Sequence, residues 1–238
     1  MMVYNWLKNT QIKLFPYFCS LCGDKAQAHI AICEPCHKQL ITINNCCTQC
    51  ALPLPDSAEN NICGQCLNKP PYFDHSFSLY NYETPVKQLI SGLKFQKKLS
   101  LAHLFGTLLG EAIQHTNRCD LPDCIAPVPL SSKRLKNRGY NQSIEIARPV
   151  SKLLSIPLAY NLFKRVRHSP PQSSLNLKSR QHNVRNAFTI NEKKLPRHIA
   201  IIDDVMTTGA TSNELARILK KEGVEKVEIW SVARATRD

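Results

Sequence analysis

The sequence lacks the long apolar runs that would carry it into or through a membrane. None in its 238 residues approaches the roughly 18 needed to span a bilayer, which argues against an integral membrane protein. The first segment, MMVYNWLKNTQIKLFPYF, is broken by Asn, Lys and Gln and has no apolar stretch of the export-signal kind, so secretion is not expected. Acidic residues are scarce: 18 Asp and Glu stand against 31 Lys and Arg, a formal charge of +13. Such a surplus favours phosphate-bearing partners, whether nucleotides, nucleic acid or an anionic membrane surface. Disorder and a fibrous build are excluded by 43% hydrophobic and 21% charged residues, and the length allows one large or two modest domains.

What the chain has in excess is cysteine, 11 in all. Nine lie between Cys19 and Cys66, in four Cys-x-x-Cys pairs: Cys19/Cys22, Cys33/Cys36, Cys47/Cys50 and Cys63/Cys66, with Cys46 spare. Two cysteines separated by two residues can aim both sulfurs at one point, and two such knuckles supply the four thiolates of a tetrahedral zinc. The count therefore predicts two structural zinc ions. In sequence order, Cys19, Cys22, Cys33 and Cys36 hold one, and Cys47, Cys50, Cys63 and Cys66 the other; spacing alone also permits crossed pairing. A disulfide framework competes, but a reducing cytosol would keep these thiols free. Iron–sulfur spacings bunch three cysteines more closely than these pairs do. Cys119 and Cys124 flank an apparent strand and are expected to be buried or incidental.

Charge suggests a boundary near Pro70-Pro71. Residues 1–70 carry five basic and four acidic side chains, leaving +12 for residues 71–238. Within the latter, residues 131–185 hold 12 basic residues against one acid, Glu145. In the first part, Trp6, Leu7, Ile12, Leu14 and Phe15 beside Lys8 and Lys13 would form, if helical, a weakly basic amphipathic segment able to touch anionic lipid. Packing on the cysteine-rich module is the simpler expectation for them.

Residues 71–238 read as alternating strand and helix, hence an α/β sheet of largely parallel strands. Phe77–Tyr80 and Cys124–Val128 read as strands, and Leu99–His115 as a packed helix. Asn141–Leu154 reads as a helix that Pro149 should kink or interrupt. Ile199–Ile202 is a continuous apolar run suited to a strand buried on both faces. A loop, DDVMTTGA, follows it. The next helix has Thr211 and Glu214 spaced as a capping box and Gly223 as its stop, and Val227–Val232 supplies a further strand.

In such sheets ligands bind where strands hand over to helices. Asp203 and Asp204 stand there, expected on a loop and therefore replaceable without harm to the fold. Thr207, Thr208, Gly209, Ala210 and Thr211 lead into a helix N-terminus, where backbone N–H groups, hydroxyls and the helix dipole can cradle a terminal phosphate. Carboxylates beside such a cradle suit a sugar diol, so the segment reads as a ribose 5-phosphate site. Taken singly, the acids could be a solvated turn and Thr211 only a helix cap.

IAIIDDVMTTGAT resembles the phosphoribosyl pyrophosphate motif of type I phosphoribosyltransferases. With the cysteine module in front, nearly the whole chain resembles the ComF family of competence-associated proteins, also met as ComFC or GntX. The resemblance implies a type I phosphoribosyltransferase-like, largely parallel sheet preceded by a double zinc-ribbon module. APVPLSSKRLKNRGYNQS resembles that family's strand and pyrophosphate loop followed by the RGxNQ signature, here Arg138, Gly139, Asn141 and Gln142. RHSPPQSSLNLKSRQHNVRNAF resembles its variable segment, with Gln172, Leu175, Arg180 and Asn183–Arg185 in order, and the basic segment from Arg165 to Arg185 is expected to close as a lid. The implied ligand is phosphoribosyl pyrophosphate with magnesium. Its 5-phosphate would lie at Thr207–Thr211, and Lys133, Arg134 or Arg138 would neutralise the pyrophosphate.

Twelve cations in one stretch exceed what such a ligand needs. Either they form a solvated face, or Lys133, Arg134, Lys136, Arg138, Arg165, Arg167, Arg180 and Arg185 follow a single-stranded DNA backbone; Tyr140, Tyr160 and Phe163 then either stack on bases or belong to the core. The resemblance implies handling of incoming single-stranded DNA in natural transformation, on the cytoplasmic side of the inner membrane and beside uptake-machinery proteins. The alternative is a working transferase that acts on a base or amine. No acceptor pocket or catalytic base is visible in the sequence, and no catalytic residue is assigned.

Overall fold

The computed structural model describes residues 18–26, 30–56, 61–116, 120–166 and 184–236. In chain order its elements are α1 (Glu34–His37), α2 (Gly64–Asn68), β1 (His75–Asn81), α3 (Val86–Phe95), α4 (Ser100–His115), β2 (Cys124–Pro127), α5 (Ser132–Arg138), α6 (Gln142–Leu154), β3 (Phe163–Arg165), β4 (Phe188–Ile190), β5 (His198–Met206), α7 (Ala210–Lys221) and β6 (Lys226–Arg234). Four strands form one sheet in the order β1-β6-β5-β2, and every neighbouring pair is parallel. β3 and β4 make a small antiparallel pair beside it. The N-terminal segment 1–17, with its amphipathic stretch, lies outside the described residues. Among the described residues, no helix is long and apolar enough to cross a membrane.

Parallel strands need covering on both faces, and the alternation along β5 and β6 supplies two cores. Ala200, Ile202, Trp230 and Val232 face α3, α4 and α6, whereas Ile199, Ile201, Val227 and Ile229 face α7. α4 and α6 meet unusually closely. A Cβ on Gly106 of α4 would stand 2.4 Å from the Ile146 carbonyl oxygen and 2.8 Å from the Pro149 ring. Pro149 does not interrupt α6, which runs from Gln142 to Leu154 with the proline inside it. The ring costs one backbone hydrogen bond and is accommodated because α4 offers glycine where it packs.

The cysteine-rich segment covers the free edge of β1. Ile43 donates its N–H to the Leu79 carbonyl at 3.1 Å, and Asn81 donates to that of Ile41 at 3.2 Å, an antiparallel contact that shields an exposed strand edge. From that edge the segment straddles the sheet: Cys19, Cys33 and Cys36 pack into the α4/α6 core, and Cys47, Cys50, Cys63 and Cys66 into the α7 core.

Two further expectations change. β5 continues past the apolar run because its pairing with β6 persists to Met206 opposite Arg234, so Asp203 and Asp204 belong to the strand rather than to a loop. Ser132–Arg138, expected as a pyrophosphate loop, is helical. Ser131 caps it by accepting the Arg134 N–H at 3.4 Å, and Gly139, at φ +86°, ends it. Gly106→Ala should cost about 1–3 kcal/mol in urea unfolding, because the neighbouring backbone cannot yield cheaply. Gly64→Ala, where an added Cβ meets nothing within 4 Å, should stay within about 0.5 kcal/mol of the parent.

Candidate functional site

The cysteines fall into two tetrads in sequence order, Cys19/Cys22/Cys33/Cys36 and Cys47/Cys50/Cys63/Cys66, with the sulfurs of each within 4.8 Å of one another. Crossed pairing is therefore not what forms. The closest sulfurs, Cys22 with Cys33 and Cys50 with Cys63, are 3.6 Å apart, near the roughly 3.8 Å edge of a tetrahedron whose zinc–sulfur bonds are about 2.3 Å. The ten described cysteines are all free thiols. Burial opposes ionisation, but backbone N–H groups overcome it at one sulfur of each tetrad, bringing Cys19 down to about 6 and Cys47 to about 7. The sulfurs beside Cys36 and the burial of Cys66 push those thiols far up. Four thiolates so close together need a dication, and the donor set fits zinc. Cys124 is buried in the core, which pushes its thiol up to about 11; Cys119 lies outside the described residues.

A cleft of about 620 Å³ opens at the carboxyl ends of β2 and β5. It gathers Lys94, Phe95 and Lys97 from the end of α3, Arg134 and Arg138 from α5, Gln142 from α6, and the whole run from Asp203 to Ser212. The N-cap of α7 is Gly209, at φ +72°, which has no side chain to cap with. The Ala210 N–H donates to Thr208 Oγ1 at 3.3 Å, and the positive end of the helix faces the cleft where an anion could enter. The expected Thr211–Glu214 capping box does not form. Glu214 instead holds Arg217 through two 2.8 Å hydrogen bonds and accepts the Asn186 N–H at 2.7 Å. Gly223, at φ +88°, ends α7 as expected.

The two acids differ. Asp204 is buried, and its Oδ2 lies 2.7 Å from Lys94 Nζ. That lysine stays protonated because Asp204 outweighs the burial that would lower it. Asp203 is partly exposed to the cleft and accepts from Ser143 Oγ at 3.3 Å and from the Asp204 N–H at 2.9 Å. Desolvation, then the like charge of Asp204, pushes the Asp203 carboxyl up to about 8. Beside them Arg138 donates to Gln142 Oε1 and sits 5.8 Å from the centre of the largely exposed Phe95 ring. Asn141 caps α6 through Ser143 N–H at 3.0 Å and donates to the Val128 carbonyl at 2.9 Å, so it shapes the cleft wall from within.

Of the basic residues singled out in sequence, Arg134, Arg138 and Arg165 line this cleft. Lys133 and Lys136 are exposed on α5 and line neither cleft. Arg185 lines a second cleft of about 1030 Å³ with Lys69, Tyr72 and the metal-side residues Cys50 and Cys66. The two clefts share Thr208, Gly209 and Ala210. Arg167, Arg180, Gln172, Leu175 and most of the expected lid lie outside the described residues. Phe163 is core and cannot stack on a base, Tyr140 donates its hydroxyl to the Leu93 carbonyl, and Tyr160 is exposed under Arg148. Sequence reasoning missed Lys94, Phe95 and Lys97; the run KFQKK was their one local signal.

Residues 12–67 match the double zinc ribbon domain and residues 141–237 the phosphoribosyl transferase domain. Over 233 residues the chain is 35% identical to competence protein F of Haemophilus influenzae, covering 94% of this chain and all of that protein. It belongs to the ComF family. Within the same family, the DNA utilization protein YhgH of Escherichia coli is 34% identical over 223 residues, covering 92% of this chain and 97% of that one. Competence protein ComFC of Streptococcus pneumoniae is 26% identical over 157 residues, 66% of this chain and 67% of that one. As a ComF protein, the chain combines a phosphoribosyltransferase-type α/β fold with an N-terminal zinc ribbon module.

Metal analysis of the purified chain should find two zinc ions, and Cys47→Ser should release one of them. The Asp203 carboxyl gives a separate pH signature. Between the ordinary carboxylate pKa of about 4 and its value of about 8, the folded chain holds a proton that the unfolded chain has released. Stability therefore falls as the pH rises through that window. Asp203→Asn removes this titration, so the decline of the urea midpoint from about pH 6 to about pH 8 should become shallower than in the parent.

Proposed function

We propose that the first cleft binds phosphoribosyl pyrophosphate in a protein that handles incoming single-stranded DNA during natural transformation. One observation carries the ligand reading: an acidic pair, a threonine loop and basic side chains of α3 and α5, distant in sequence, line a single cavity. On this reading Thr207–Thr211 take the 5-phosphate at the N-terminus of α7, with Thr208 Oγ1 yielding the Ala210 N–H. Asp203 and Asp204 accept hydrogen bonds from the ribose hydroxyls. Arg134 and Arg138, with Lys94 and Lys97 within reach, neutralise the pyrophosphate. Lys133 is exposed away from the cleft and drops out of that role. Magnesium would supply charge neutralisation between pyrophosphate and diol while keeping several waters.

The DNA reading is supported by the relatives' printed names, competence protein and DNA utilization protein, and by the basic surplus. Lys133 and Lys136 on the exposed side of α5, with Arg165 and Arg185 at the two clefts, offer a cationic track of the kind single strands follow. Such a role suits a cytoplasmic protein working beside the uptake machinery, with residues 1–70 as the metal module and 71–238 as the ligand domain. A transferase reading draws on one observation, the second cleft that adjoins the first through Thr208–Ala210 and has room for an acceptor base or amine.

Calorimetric titration of phosphoribosyl pyrophosphate with magnesium, with and without oligo-dT, tests both parts. Asp203→Ala should weaken the metabolite by about threefold to tenfold, the scale of losing a neutral hydrogen bond; unchanged affinity refutes the sugar assignment. Lys133→Glu with Lys136→Glu should spare the metabolite but weaken oligo-dT and flatten its salt dependence, the logarithmic slope falling by about one for each phosphate that is no longer neutralised. Steady, acceptor-dependent pyrophosphate release from a panel of bases and amines would favour the transferase reading instead.

A further inference from the structure

Arg234 is the last residue of β6, and its side chain is 3% exposed where three parts of the molecule meet. Nε donates to the carbonyl of Cys50 at 2.8 Å. Nη1 donates to the carbonyls of Met206 at 3.1 Å and Ala235 at 2.7 Å, and also to that of Thr207. Cys50 belongs to the second cysteine tetrad. Met206 and Thr207 are the turn by which β5 enters the threonine loop. One planar fork therefore ties a metal knuckle to the backbone that shapes the anion cradle, across 184 residues of sequence.

The chemistry of this contact is specific. No carboxylate lies within ion-pair distance of Arg234 among the described residues, so its charge rests on carbonyl dipoles. A zinc ion with four thiolates carries a net charge of −2, and Arg234 lines the same cleft as Cys50 and Cys66. With the metal in place, the buried cation has a nearby counter-charge and a rigid Cys50 carbonyl. Once the metal is lost, the knuckle slackens, and a guanidinium deprived of a fixed acceptor must find another or pull its remaining acceptors with it. The remaining acceptors are the loop. The first tetrad packs in the other core, and among the described residues no side chain ties it to that loop.

We propose that Arg234 is a positioning residue through which the second zinc centre holds the threonine loop in the shape that grips a phosphoryl group. Among the described residues the first tetrad has no equivalent link, so the two metals are unequal: one serves the fold alone, the other also sets the affinity of the cleft. The anion part of the proposal rests on the ligand reading above. The coupling itself is a property of the backbone and can be measured without any ligand.

The test uses the full chain. Hydrogen exchange at residues 206–211 reports on the loop, and titration with ribose 5-phosphate reports on the cradle. Cys66→Ser, verified to lose one zinc, should speed exchange of the loop by about tenfold or more, the scale of losing a charged hydrogen bond. Cys22→Ser, which removes the other metal, should act on the loop at least about threefold less. Arg234→Lys keeps the charge but not the fork. It should retain both ions and still loosen the loop, and adding Cys66→Ser to it should change the loop little further, because the link is already cut.

Equal loop effects from the two cysteine variants would overturn the proposal, since they would signal general destabilisation. So would fully additive effects of Arg234→Lys and Cys66→Ser, or a loop indifferent to either. Should Cys66→Ser fail to fold, stepwise withdrawal of zinc from the intact chain and from Arg234→Lys by a chelator gives the same comparison. If the parent does not bind ribose 5-phosphate, the ligand reading falls, while the exchange data still decide the coupling.

Discussion

Three strands running side by side in one direction must end on the same side, and that constraint governs the chemistry of this ComF protein. β2, β5 and β6 deliver Pro129, the acidic pair and Arg234 to one end of the sheet. The pairing of β5 with β6 outlasts the apolar residues and reaches Met206 opposite Arg234. The acids therefore stand on hydrogen-bonded backbone instead of a loop, which fixes their separation from the threonine turn. The consequence is mixed dependence: the site gains precision, and its residues become part of what keeps the strand end packed. Asp204, buried against Lys94, has a structural role whatever ligand the cleft takes.

The cysteine-rich segment is built into the sheet rather than strung before it. It adds backbone pairing to the free edge of β1 and then sends one sulfur tetrad to each face. Because the second tetrad borders the cleft shared with Thr208–Ala210, metal and ligand chemistry occupy adjoining ground.

Much of this was legible in the sequence where signals are local. Paired cysteines at a fixed spacing announced the metal centres, and the run Ile199–Ile202 announced the central strand. The acids followed by threonines announced the cleft. Long-range partners were not legible. Lys94 meets Asp204 only because α3 ends above the strand termini, and its own segment carries no pattern that says so. Local rules also misled where tertiary demand overrode them. Glu214 is spaced to cap its helix but is taken by Arg217 and Asn186. Pro149 stays inside α6 because Gly106 gives its ring room. Ser132–Arg138 has a hydroxyl cap and a terminal glycine, helix signals that the family resemblance to a loop obscured.

The seating of Lys94 on Asp204 also determines what the pocket attracts. With Asp203 mostly protonated near neutrality and Asp204 matched by an ammonium, the carboxyl pair contributes almost no net charge. Arg134, Arg138, Arg165 and Lys97 are left to set the sign of the field. The field at the cleft mouth is therefore positive, repelling a lone cation and drawing in an anion.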